Sequence, residues 1–260
     1  MTAYFVQPHI IIRYMQLEKF KIKRVKSRTQ IILFAFTFLL LSSCGNKITK
    51  QNLKGGQTIT FEQQLETLNS LGYKPKAEVT NEFLLNFINK ELEIPKAKDS
   101  IEDSPYLVLY YALSHQDAKV EDYYLTDQYF WYVLDYFEQP VAYEYFMYRM
   151  GKITDGEIVF KDVKVEFDEN NIKWIKFKVN GMAKKWNIGK GDFVDDSFVQ
   201  RFYHLTDELK TKGKYTYFDR GGEDFIIDFA TEKEQKDFNN ATGLNRIWLG
   251  EGNHFAEPKI

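Results

Sequence analysis

Residue types that could do chemistry are few in this chain, and they are widely spaced. The four histidines are His9, His115, His204 and His254, and none sits in an H-E-x-x-H helix or beside a G-x-S-x-G elbow. His204 lies beside the Phe202 and Leu205 stripe of a predicted helix rather than on it, so an exposed helix histidine is expected there. An enzyme would instead need His115 or His204 to face two carboxylates in a cleft. The densest run of reactive types is Asp219-Arg220-Gly221-Gly222-Glu223-Asp224. Paired glycines let backbone approach a ligand closely, and Asp219, Glu223, Asp224 and Asp228 could gather oxygen donors for a cation. Their spacing is not that of an EF-hand, and a hairpin tipped with glycine needs no ligand, so a plain turn is the expectation and a binding loop the alternative. Neither a metal nor another cofactor is expected.

Aromatic residues make up 17% of the chain and crowd between Tyr123 and Tyr148. Phe130, Trp131, Tyr132 and Phe137 are expected to fill a core. Tyr123, Tyr124, Tyr143 and Tyr148 form a candidate surface, since tyrosine offers a large contact area at low entropy cost. Aromatic faces also stack on sugar rings. Binding to a protein and binding to a glycan therefore both follow, with an envelope hydrolase of unrecognised site as a further alternative.

Those residues must be delivered somewhere, and the N-terminal stretch says where. Lys19, Lys21, Lys23, Arg24, Lys26 and Arg28 precede the apolar run from Ile31 to Leu41, which ends in Ser42-Ser43-Cys44. A basic segment, an apolar core and small residues at a cut site are the pattern of a secretory signal. The run is too short to cross a hydrocarbon layer of about 30 Å, which takes roughly 20 helical residues. Leu41-Ser42-Ser43-Cys44 resembles the lipobox of bacterial lipoproteins, and the resemblance implies cleavage between Ser43 and Cys44 with lipid on the Cys44 thiol. It makes 1–43 a signal peptide, with Met15 as an alternative start. Gly45 is not the aspartate that retains some lipoproteins at the inner membrane, so the resemblance favours the periplasmic face of the outer membrane. The membrane is then a partner through lipid alone.

Cleavage there leaves Cys44 to Ile260, with 28 cations against 36 anions and a net charge of −8. That excess does not favour nucleic acid or an anionic membrane surface. Cys44 is the only cysteine, so no disulfide framework is available and the core must hold the fold. Residues 44–57 read as a flexible tether, 58–250 as one domain and 251–260 as a mobile tail.

Within the domain, Thr60 with Gln63 and Thr231 with Glu234 are capping boxes that open helices closed by Gly72 and Gly243. A helix opens at Thr80, 94–103 is a charged linker, Ser104-Pro105 starts a buried helix over Tyr106 to Ser114 with a strand as the alternative for that short apolar run, and Pro140 starts another helix through Val141, Tyr145 and Met150. Tyr129 to Phe137 reads as a strand. From Ile158 the period becomes two, and Asn180-Gly181 forms a two-residue hairpin that sets Val179 opposite Met182 and Ile175 opposite Trp186, with a bulge near Trp174. A helix led by Asp195 or Asp196, a strand pair around Arg220-Gly221-Gly222-Glu223 and a last strand at Ile247 to Leu249 complete the order. The expected class is α+β: one domain, an antiparallel meander sheet with helices on one face.

Tyr217 to Phe225, then Thr231-Glu232-Lys233-Glu234, Thr242-Gly243-Leu244 and Trp248-Leu249, resemble the C-terminal part of small bacterial α+β proteins, some of the toxin-immunity type. That resemblance carries no catalytic motif and implies a non-catalytic protein that binds another protein as an immunity or inhibitor protein. Replacing Cys44 by Ala is expected to strand the product unprocessed or release it from membranes. A Cys44→Ala protein that fractionates and migrates like the parent would refute the lipidation.

Overall fold

A computed structural model describes residues 58–117, 119–120, 122–133, 140–170, 172–190, 196–219 and 224–251. The leader, Ser43, Cys44, the tether, Asp195, Arg220 to Glu223 and the tail beyond Glu251 lie outside the described residues, as does the expected strand continuation from 134 to Phe137. Seven helices and seven strands are described, in an α+β arrangement with two antiparallel sheets.

The helices begin where local chemistry favours them. α1 (Phe61–Ser70) is opened by Thr60, whose side chain accepts from Gln63 N while Gln63 reaches back to the Thr60 backbone. In α2 (Asn81–Lys90) the Thr80 hydroxyl accepts from Phe83 N, and Leu84, Phe87 and Ile88 are buried. The expected charged linker contains a further helix, α3 (Ala97–Asp103), whose Ala97 and Ile101 lie four apart and are buried. It has no capping side chain, and its N-cap Lys96 is left-handed, so no start signal marks it. α4 (Leu107–Leu113) follows Tyr106 at φ 66°, so Ser104-Pro105 precedes the cap instead of forming it. α5 (Pro140–Lys152) buries Tyr143, Phe146, Met147 and Met150 and packs Tyr145 against the same core, so of the expected stripe Tyr145 and Met150 face inward and Val141 is exposed. α6 (Asp196–Leu209) buries Phe198, Phe202 and Leu205, and α7 (Glu232–Thr242) has its Thr231–Glu234 capping box and a left-handed Gly243.

The strands are β1 (Tyr129–Val133), β2 (Phe160–Phe167), β3 (Ile172–Val179), β4 (Met182–Lys190), β5 (Lys214–Asp219), β6 (Asp224–Ala230) and β7 (Ile247–Trp248). One sheet has the order β1-β6-β5-β7, and the other is the meander β2-β3-β4. In the meander Val179 faces Met182 and Ile175 faces Trp186, around a turn with Asn180 at φ 46° and Gly181 at φ 85°. The register shifts between Ile172 and Trp174, where the bulge was expected.

Helices cover both faces of the four-stranded sheet, where one covered face was expected. Successive side chains on a strand point to opposite faces. Phe130, Tyr132, Tyr215, Tyr217, Phe225 and Ile227 therefore join α5, α6 and the inner face of the meander in one core. Tyr129, Phe218 and Ile226 join α1 to α4 and α7 in a second.

Asp228 projects into that second core. It is 1% exposed, pairs with the fully buried Arg246 and accepts from Tyr73 Oη at 2.8 Å. Burial holds the Tyr73, Tyr110 and Tyr129 hydroxyls well above the usual tyrosine range, so Tyr73 stays neutral and acts as a donor to the carboxylate. Asp228→Asn is expected to cost about 3–5 kcal/mol in chemical denaturation, because it leaves a buried guanidinium uncompensated. Joint replacement by Asp228→Leu and Arg246→Met should cost clearly less. A double variant as unstable as the sum of the singles would show that charge pairing is not what the site provides.

Candidate functional site

The expected aromatic surface is only partly one. Tyr148 is 50% exposed and Tyr123 half-buried, but Tyr124 and Tyr143 are each 1% exposed. Tyr124 is covered by the Arg149 guanidinium, 3.5 Å from its ring centre, and Tyr143 packs edge-on against Phe198 at 5.3 Å. Both belong to the first core: Tyr143 lies three residues from Phe146 on α5, and Tyr124, in the segment before β1, packs on Phe130 and Tyr145.

The acidic loop between β5 and β6 lies largely outside the described residues, since Arg220 to Glu223 are not among them. Asp219 and Asp224 stand at the ends of β5 and β6, and Asp224 Oδ2 accepts from Trp131 Nε1 at 2.9 Å. Asp228 is committed to Arg246 inside the core. His115 stacks on Trp131 at 4.7 Å, holds its Nδ1 2.7 Å from Tyr111 O and meets the rings of Tyr111 and Phe87, while His204 is exposed as expected. Among the described residues no group of three or more His, Cys, Asp or Glu side chains is placed to hold a metal.

What stands out is the outer face of the meander. Its inner face carries Val165, Ile175, Phe177 and Val179 into the core. On the outer face, Lys176 is directly opposite Lys164 on one neighbour and Lys185 on the other. Lys178 is opposite Lys161. Lys161 and Lys164 are three apart, so strict alternation would put them on opposite faces. A bulge between them, with Asp162 at φ 52°, adds the residue that brings both outward. Five lysines thus share one exposed surface with two carboxylates, Asp162 and Glu166.

Like charges directly opposite on a sheet destabilise it by about 0.2–1 kcal/mol per pair. Part of that cost is offset locally: Lys178 meets Asp162 at 2.8 Å, Lys176 meets Glu166, and Lys185 Nζ lies 4.0 Å from the Trp174 ring centre. Trp174 is fixed at its other end, since its Nε1 donates to Asp168 Oδ2 at 3.1 Å. Asp168 also accepts from the backbone N–H groups of Ile172 and Asn170, and these bonds, the one from Ile172 foremost, hold its carboxyl below the usual range. The indole is therefore held in place on the central strand at one end of the lysine face, half-buried and flanked by Glu166 and Asn187.

A second feature is a shallow groove of about 330 Å³ between α7 and β7, lined by Glu232, Gln235, Lys236, Asn239, Asn240 and Trp248. Gln235 and Asn239 each donate a side-chain amide N–H to Arg246 O, which fixes the groove's floor over the buried ion pair.

Together these define an α+β domain with a charged sheet face that is exposed among the described residues. Comparison with protein-family models, curated proteins and solved structures finds no match to the chain.

Lys176 and Lys178 hold the Glu166 and Asp162 carboxyls below their ordinary range through hydrogen bonds, so their bridges are complete at neutral pH and are lost as the pH falls through the depressed values. Replacing Lys176 by Met is expected to raise the Glu166 titration midpoint toward the ordinary carboxylate range, read by NMR of the side-chain carboxyl. An unmoved midpoint would mean the bridge does not form in solution.

Proposed function

We propose that this chain is a bacterial lipoprotein, anchored through lipid on Cys44 at the periplasmic face of the outer membrane, that binds a protein partner and catalyses no reaction, in the manner of an immunity or inhibitor protein. The observation that supports it best is the outer face of β2-β3-β4. A sheet whose inner face is packed and whose outer face holds like charges in register spends stability on a surface that folding does not require. A tyrosine or tryptophan fixed amid charged residues is also how interfaces place an anchor, and Trp174 occupies that position. Binding through one sheet face leaves the N-terminal tether free to set the distance from the membrane.

A second reading, glycan binding, draws on the α7–β7 groove, where an indole face at Trp248 lies beside the carboxamides of Gln235, Asn239 and Asn240. Those types suit a sugar, whose C–H face packs on an aromatic ring and whose hydroxyls pair with amides.

The two are separated by placing a photo-crosslinking amino acid at Ala183, which is exposed on the outer face, and in a second protein at Asn240 in the groove. Irradiation of full-length protein in its native envelope should give one protein adduct from position 183 and none from 240. Adducts only at 240, carrying carbohydrate, would replace the protein-binding reading with the glycan one.

A further inference from the structure

The meander's outer face is a docking surface, and its charge pattern specifies what docks; this step rests on the protein-binding reading above. From the net −8 of the chain after Cys44, an anionic partner is not expected. Charge is unevenly distributed, however. Lys161, Lys164, Lys176, Lys178 and Lys185 occupy one face of three strands, with Glu166 as the one carboxylate among the paired positions described and Asp162 in the bulge beside them. Neighbouring strands lie about 4.8 Å apart, so the row Lys164–Lys176–Lys185 spans roughly 10 Å. Cations that close raise the local potential well above that of the acidic body around them.

We propose that this face docks an acidic protein surface, with a carboxylate-rich patch seated across Lys164, Lys176 and Lys185 and against the Trp174 indole. A protein is favoured over an anionic lipid surface for two reasons. The face is not uniformly positive: Asp162 is 65% exposed and Glu166 48%, at fixed positions between the lysines. A sheet of phosphate headgroups would repel both, whereas a folded partner can set cations opposite them, and such alternation fixes register as well as affinity. In addition, Trp174 cannot insert into a bilayer interface as it stands, because its N–H is held by Asp168 and Lys185 sits over its ring.

The test uses full-length protein carrying Cys44→Ser, so that no lipid can be attached, with two defined probes: poly-L-glutamate and vesicles of phosphatidylglycerol with phosphatidylethanolamine. Poly-L-glutamate should bind with an affinity that falls about tenfold or more between about 50 and about 300 mM salt, as screening of exposed charges requires. NMR shifts should map to β2, β3 and β4. The triple variant Lys164→Glu, Lys176→Glu, Lys185→Glu should abolish binding, and the neutral variant with Gln at the same three positions, which keeps the strands' polarity, should weaken it by about tenfold. Vesicles should not bind. Undiminished poly-L-glutamate binding by the Gln variant, no binding at low salt, or lysine-dependent vesicle binding would each overturn the proposal. If the Ala183 crosslink yields a protein while poly-L-glutamate fails to bind, only the acidic assignment falls. If position 183 yields no protein adduct, the protein-binding reading falls with it.

Discussion

Burial of the β5–β6 pair on both faces is the constraint from which the rest follows. Because side chains alternate, Tyr215, Tyr217, Phe225 and Ile227 must fill one core while Phe218, Ile226 and Asp228 enter the other. A carboxylate in that position can persist only with a partner, and Arg246 enters on the segment leading to β7 to supply it. That pairing ties the C-terminal strand and α7, through Gln235 and Asn239, to the helical half of the domain. Both cores then depend on one pair of strands, and the two halves of the chain cannot pack independently.

The meander is placed differently. Its inner face closes the first core against α5 and α6, and among the described residues no layer covers its outer face. A sheet covered on one side usually reads as apolar inside and polar outside. Here the polar side is biased to one sign, and the bias survives although opposite lysines repel. The face thus carries a repulsion that closing the first core does not require.

Much of this architecture was legible in the residues. Capping boxes at Thr60 and Thr231, the Asn180-Gly181 turn and the parity change at Trp174 are local signals, and each depends on neighbours within a few positions. What could not be read was set by distant partners. α3 has no cap and only two apolar residues, so its helix exists because Ala97 and Ile101 meet a core made elsewhere. Tyr124 and Tyr143 resemble surface tyrosines in sequence, and it is residues distant in the chain, among them Arg149 and Phe198, that bury them. Asp228 looked like a member of an acidic loop because its ion-pair partner lies eighteen positions away. The lysine face escaped notice for a related reason: a strict period of two assigns Lys161 to the wrong side, and nothing in the residue types announces the bulge.

That bulge also determines which kind of mutation the surface can tolerate. Replacing Asp162 with another residue keeps the extra position, so the chain beyond it still reaches the same partners on β3. Inserting a further position is different, because Phe160 and Lys161 would then rotate by one and exchange core for solvent. Ordinary substitutions would therefore let the charge of this face drift residue by residue during evolution, whereas a single-codon insertion would redraw it at once and expose an aromatic ring where an amine had been.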